Sequence, residues 1–94
     1  MFTVAYHSKV QKDFRSMDKK DAETIRRIIN TKLINKPEFF GKPLRQTLKN
    51  YRSLRIGNYR IVFEVQKKEL IILIITVGNR DKVYQEAKKR QKEV

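Results

Sequence analysis

Residues 51–65, YRSLRIGNYRIVFEV, read as a β-hairpin almost residue by residue. Gly57 and Asn58 form a two-residue turn signal between two alternating runs, and glycine at the first central position accepts the positive φ that hairpin turns require. With those residues as the loop, Ile56 faces Tyr59, Arg55 faces Arg60, Leu54 faces Ile61 and Ser53 faces Val62. Side chains alternate with period two, so Leu54, Ile56, Tyr59, Ile61 and Phe63 share one apolar face. Tyr51, Ser53, Arg55, Arg60, Val62 and Glu64 take the other face. Two arginines then stand directly opposite each other, with Cβ atoms roughly 5 Å apart, where like charges destabilise a sheet. An anion held between them relieves the repulsion. The plainer alternative is a pair of fluid surface arginines, partly offset by Glu64.

Working outward, a turn over residues 66–69 leads into residues 70–77, LIILIITV, which are apolar on both faces, as a central strand covered on both sides requires. Gly78 ends that strand, Asn79, Arg80 and Asp81 form a turn, and residues 82–94 read as a weakly amphipathic terminal helix with Val83 and Ala87 inside. Upstream of the hairpin, residues 36–48, KPEFFGKPLRQTL, hold both prolines and one of the three glycines. They read as the one irregular segment, pinned by Phe39, Phe40 and Leu44, with Lys42, Arg45 and Lys49 on the polar side. At the start of the chain Phe2, Val4 and Tyr6 alternate as a short strand, and Ser8 is the expected N-cap of a first helix built on Val10, Phe14 and Met17. Asp18 or Asp21 caps a second helix, whose Ala22, Ile25, Ile29 and Leu33 recur at the steps of a buried stripe. That helix ends before Pro37. The order β-α-α-β-β-β-α predicts an α+β domain over residues 1–94: a small, mostly antiparallel four-stranded sheet, an N-terminal helical hairpin on one face and a short C-terminal helix. The helical hairpin is expected to cover the Leu54/Ile61 face and leave the Arg55/Arg60 face open.

The 94 residues suffice for one modest core. The chain has no cysteine, so disulfides and thiolate metal sites are excluded. The start of the chain does not resemble a signal peptide, and its longest apolar run is too short to cross a bilayer, so a cytoplasmic protein without membrane contact is expected. Twenty-three Lys and Arg against ten Asp and Glu give a net charge of +13, which attracts polyanions, nucleic acid first among them.

The acidic residues are scattered singly, which disfavours a two-metal nuclease. His7 is the single histidine and reads as an ordinary residue at a strand end, and Gly41, Gly57 and Gly78 stand alone, so no phosphate-binding loop appears. No cofactor or metal is expected. What remains is cationic: Arg55 and Arg60 on the hairpin, Arg80 at the end of the last strand, and Tyr84 one helical turn beyond. Guanidinium groups bind phosphate bidentately and stabilise the extra charge of a pentacoordinate transition state. RNA supplies its own nucleophile, the 2′-hydroxyl. Tyr51 or Tyr84 can stack on an exposed base, while Tyr84 can equally serve to pack the last helix onto the sheet.

The hairpin sequence, followed by LIILIITVGNRDKVY, resembles the RelE/ParE superfamily of bacterial and archaeal toxins, and RelE more closely. The similarity spans nearly the whole chain, including the GKPLRQTLKN lead-in, and the motifs LR-x-G-x-YR and VG-x-R-x-x-VY are specific in combination. The resemblance implies the toxin of a toxin–antitoxin pair: an endoribonuclease that cleaves messenger RNA, often in the ribosomal A site. A cognate acidic antitoxin would hold it inactive, with DNA engaged only indirectly through that antitoxin. By position, Arg60 would stabilise the transition-state phosphate, Arg80 would assist the leaving 5′-oxygen, Tyr84 would stack on or orient the base, and Arg55 matches a family basic position. Arg45, Lys49, Arg52, Tyr51 and Lys82 are the expected RNA contacts. One departure matters: RelE-type enzymes commonly carry Lys or Arg where this chain has Ser53, and serine supplies neither charge nor an activated base. Either Arg45, Lys49, Arg52 or a loop lysine reaches in, or cleavage is weak or absent. The alternatives are a ParE-like, non-enzymatic inhibitor of DNA gyrase and a plain RNA- or ribosome-binding relative.

Overall fold

The computed structural model describes residues 1–93. Strand β1 (Thr3–Tyr6) is followed by helices α1 (Val10–Arg15) and α2 (Lys19–Ile28), the latter continuing as a π-helical turn, Ile29–Leu33. A short helix α3 (Pro37–Phe40), strand β2 (Lys42–Pro43) and a 3₁₀ turn (Gln46–Leu48) precede β3 (Arg52–Ile56), β4 (Tyr59–Gln66), β5 (Ile71–Asn79) and helix α4 (Val83–Gln91). The five strands form one sheet in the order β1-β5-β4-β3-β2, with β1 parallel to β5 and the other pairs antiparallel. The class is the α+β fold read from the sequence, with one strand more than the expected four. The expected end of the last helix, Val94, lies outside the described residues.

The hairpin has the register its turn dictates, Ile56 against Tyr59 through Ser53 against Val62. Gly57 carries φ +59°, the first central position of a II′-type turn. Ile61, Phe63, Ile72, Ile74 and Val77 bury one face of the sheet against Val10 and Phe14 of α1 and Ala22, Ile25, Ile29 and Leu33 of α2 and its extension. Asp18 caps α2, its Oδ1 accepting from the Lys20 N–H at 3.2 Å. Ser8 does not cap α1; Lys9 occupies that position without a side-chain bond. The Arg26 guanidinium lies 4.2 Å from the centre of the Phe14 ring, a cation–π contact that ties α2 to α1.

Two further expectations are corrected. Residues 36–48 are not irregular, because α3, β2 and the 3₁₀ turn order them; Phe40 and Leu44 pack inward, whereas Phe39 is 77% exposed and pins nothing. A Cβ at Gly41 would stand 2.6 Å from Phe63 Cζ, so only glycine lets this backbone close onto the buried ring. The Arg55/Arg60 face is not wholly open. Helix α4 lies across its middle, and Val62 and Ile75 are buried with Leu48, Tyr51, Val83 and Ala87 in a second, smaller core. A bulge between Val62 and Phe63 lets β5 feed both cores, since Val62 pairs with Thr76 and Phe63 with Ile74.

Strand β1 stops pairing at Tyr6, opposite Ile74, while β5 runs on to Asn79. Side chains take over the exposed edge. Arg90 of α4 forms a two-pronged ion pair with Asp13 of α1, at 2.6 and 2.7 Å. Arg90 also donates to the Ile75 carbonyl (3.1 Å), and Asp13 Oδ2 accepts from the Val77 N–H (3.0 Å). Glu86, one helical turn before Arg90, accepts from its Nε at 2.9 Å. Burial opposes the charge on Arg90, but the bonds and attraction from Asp13 and Glu86 outweigh it and leave its pKa above the ordinary value. Truncating Arg90 strands a buried carboxylate and a strand carbonyl together. Arg90→Ala is therefore expected to lower stability by roughly 3 kcal/mol, read as a lower urea midpoint. Removing both charges, Asp13→Leu with Arg90→Met, is expected to recover part of that loss.

Candidate functional site

The hairpin places Arg55 and Arg60 as direct cross-strand partners, and Arg60 faces Gly78 on its other side, so one row across the sheet reads Arg55, Arg60, Gly78. Arg60 Nη1 donates to the Tyr59 carbonyl (3.1 Å), and Arg55 Nε reaches the Gly57 carbonyl (3.4 Å). Neither pairs with a carboxylate among the described residues. Glu64, offered above as a partial offset, instead accepts from Gln66 Nε2 at 2.9 Å. The two like charges belong to cross-strand partners, and neither has a carboxylate partner among the described residues.

Arg80 joins them through the backbone. Its N–H donates to the carbonyl of Asn58 in the hairpin turn (3.3 Å), so the end of β5 lies beside the hairpin tip, as the antiparallel reading required. Asn79 shapes the turn that follows, its Oδ1 accepting from the Asp81 N–H at 2.9 Å and its carbonyl from the Lys82 N–H at 3.1 Å. The Arg80 side chain is exposed and 3.7 Å from Asp81, an ion pair too exposed to neutralise it. Lys82, also exposed, opens α4. Tyr84 packs half-buried against the second core, and its hydroxyl shares a hydrogen bond of 3.0 Å with Ser53 Oγ. The packing reading of Tyr84 is thus realised, with the phenol oxygen held on the same sheet face as the arginine row.

The other expected RNA contacts separate. Arg45 and Lys49 are exposed and flank the 3₁₀ turn whose Leu48 enters the second core, so they lie on the α4 side. Arg52 does not belong with them. Its side chain is on the opposite face, where Nη2 donates to the carbonyls of Glu38 (2.8 Å) and Gly41. Tyr51 is buried beneath the second core and offers no face to a base. Burial, and then the nearby Glu64 carboxylate, raise its phenol pKa, so it stays neutral. Two features escaped the sequence reading: the Ser53–Tyr84 bond, and the register by which β2 sets Lys42, expected on the polar side of its segment, directly opposite Ser53. His7 is structural, with Nδ1 accepting from the Lys9 N–H at 3.1 Å and Nε2 3.6 Å from Glu93.

The arrangement is a bed of unneutralised guanidinium groups, from three strands' ends, beside a hydroxyl pair. Such a surface can grip phosphate oxygens from several directions and concentrate a polyanion over it.

This fold is that of the small toxins of the RelE/ParE type. A profile of the ParE toxin family, described as the toxin of the type II toxin–antitoxin system parDE, matches residues 4–84, and the chain belongs to that family. Among curated proteins it is similar to Toxin RelE of Mycobacterium tuberculosis, 29% identical over 83 residues that cover 88% of this chain and 86% of the relative. Toxin RelG of the same organism is 24% identical over 83 residues, covering 88% and 95%. In fold it matches a chain of the M. tuberculosis RelBE2 toxin–antitoxin complex with a TM-score of 0.80 at 24% identity, covering 84% of this chain and 98% of the other. The isolated E. coli RelE toxin follows at a TM-score of 0.72 and 21% identity, covering 97% and 99%.

The unrelieved arginine pair has a measurable cost. Arg55→Thr is expected to stabilise the free protein by about 0.5 kcal/mol in urea denaturation at low salt. Added phosphate, at matched ionic strength, is expected to raise the melting temperature of the parent chain and not that of Arg60→Ala.

Proposed function

We propose that this chain is a RelE-like toxin that cleaves messenger RNA endonucleolytically, at the ribosomal A site. The observation that carries the reading is the row of Arg55 and Arg60, with the Arg80 backbone bonded to the hairpin turn beside it and no carboxylate paired with Arg55 or Arg60 among the described residues. The RNA 2′-oxygen attacks the adjacent phosphorus and the P–O5′ bond breaks, giving a 2′,3′-cyclic phosphate and a 5′-hydroxyl. Arg55 and Arg60 hold the non-bridging oxygens as charge grows in the transition state. Arg80 lies towards the departing 5′-oxygen, and Tyr84 orients the neighbouring base from α4. Lys82, Arg45 and Lys49 attract the flanking backbone as an outer field. The similarity to a named RelE toxin supports the assignment.

A cognate antitoxin belongs to this reading, because the RelE chains of similar fold include members of toxin–antitoxin complexes. A net charge of +13 calls for an acidic antitoxin segment, which silences the toxin by covering the arginine end.

A second reading rests on a specific observation: the matching family profile is described by ParE. It predicts gyrase inhibition without RNA cleavage. Primer extension on messenger RNA from briefly induced cells separates the two. Codon-phased cuts are expected with the parent chain, reduced by roughly 100-fold or more in Arg60→Ala and in Arg80→Ala. Intact messages with DNA-damage signalling would move the assignment to gyrase.

A further inference from the structure

Strand β2 is only two residues long, yet its backbone is held on both sides. Before it, the Arg52 guanidinium takes the carbonyls of Glu38 and Gly41, and Gly41 sits against the buried Phe63 ring. After it, the Leu44 N–H donates to the Tyr51 carbonyl at 3.0 Å. This bracing fixes the register of Lys42 opposite Ser53 and of Pro43 opposite Arg52. Cross-strand partners project to one face with Cβ atoms about 5 Å apart. Lys42 therefore stands on the α4 side of the sheet, next to the Ser53–Tyr84 hydroxyl pair, while Pro43 and Arg52 face the other way. Lys42 is exposed and forms no ion pair among the described residues, in contrast to Lys67 with Glu38 and Lys9 with Glu93.

Two residues beyond Ser53 along β3, on the same face, stands Arg55, at a rise of roughly 6.8 Å. Lys42 lies one strand spacing of about 4.8 Å to the side, so Lys42 and Arg55 are about 8 Å apart at the backbone. Their long, flexible side chains can bring the two charges to the spacing of consecutive phosphates in an extended single strand. From this geometry, and resting on the ribonuclease reading above, we infer that Lys42 is a substrate-contacting residue that binds the phosphate next to the scissile one. The scissile phosphate lies on Arg55 and Arg60. Its neighbour falls at the Ser53–Tyr84 end of the site, where the Lys42 ammonium meets it as a point charge. Lys42 thus supplies, from the adjacent strand, a cation on the row where Ser53 has none.

The test is binding of a labelled oligoribonucleotide made uncleavable by 2′-O-methylation, followed by fluorescence anisotropy over a salt series. Lys42→Ala is expected to weaken binding by about fivefold to tenfold and to reduce the slope of log K against log salt by about 0.7. Lys42→Arg is expected to keep both values, because it keeps the charge. Lys42→Ala with Ser53→Lys is expected to restore them, because the charge moves across the strand pair without leaving the face. Lys68→Ala, a surface lysine on the β4–β5 turn, is expected to change affinity by less than about twofold. The inference is overturned if Lys42→Ala binds like the parent, if Lys68→Ala loses as much, or if the parent does not bind the oligonucleotide. Failure of the ribonuclease reading looks different. In that case the Lys42 dependence of binding persists while the induced parent leaves cellular messages intact.

Discussion

The edge of β5 beyond residue 74 has to be satisfied, and the pairing of Asp13 with Arg90 is the means. A central strand that outruns its neighbour leaves backbone N–H and C=O groups without a ladder, and a buried backbone group without a partner is costly. Here a carboxylate takes the Val77 N–H and a guanidinium takes the Ile75 carbonyl, so two side chains stand in for the missing strand. Because Asp13 belongs to α1 and Arg90 to α4, the same bond clamps helices on opposite faces of the sheet to one another. Helix α4 buries little else, chiefly Val83 and Ala87. A buried ion pair seldom exceeds an apolar contact in stability, but it fixes geometry, and geometry is what this short helix lacks. The docking of α4, and with it the placement of Tyr84 over Ser53, depends on that clamp.

The arginines of this chain show how one side-chain type takes three roles according to its neighbours. Arg90 is neutralised by two carboxylates and is structural. Arg52 donates from Nη2 to two carbonyl oxygens and braces β2, while its Nε is buried without a partner. Arg55 and Arg60 touch only backbone carbonyls near the turn, and Arg80 has only the distant, exposed Asp81. The few acidic residues are placed accordingly. Asp13 and Glu86 serve Arg90, Glu38 pairs with Lys67 and Glu93 with Lys9, while Asp21 lies beside the hairpin turn near Tyr59 and Asp81 next to Arg80. The bonds and attraction of Lys9 lower the pKa of Glu93 from the ordinary carboxylate value, so that pair persists into mildly acidic solution and is lost as pH falls through the lowered value. An excess of positive charge spread over the surface would repel the compact state generally. Concentrating the unrelieved part at one end gives that end a positive field that attracts anions.

The hairpin was legible because a two-residue turn with glycine first leaves one register, and every face assignment from Ser53 to Phe63 follows from it. The central strand and the α2 stripe were legible for the same reason, a long and unambiguous period. Strand β2 was not, since two residues carry no period and the prolines around it suggest a loop. Arg90 leaves no signal in the sequence, because helical spacing in α4 is faint and its partner lies 77 residues away. Arg52 is the instructive case. The alternation that put Ser53 and Arg55 on one face already put Arg52 on the other, so its exclusion from the arginine row was written in the period. The pull of its charge outweighed that signal in the sequence reading.

The cations and the aromatic ring are held by the sheet and not by a mobile loop. The backbone of Arg80 is bonded to the hairpin turn that also carries Arg55 and Arg60 on its flanks. Four residues later Tyr84 is anchored to β3 by its hydroxyl, and α4 beyond it is fixed to the β5 edge by Arg90. The segment from Arg80 to Tyr84 therefore has both ends tied to strands that hydrogen-bond to one another. On the function proposed above, a phosphate on the arginine row and a base against Tyr84 would have their separation set by strand spacing and register, quantities that vary little as side chains move. Positioning of this kind carries much of the burden when RNA brings its own nucleophile and the protein contributes charge and orientation.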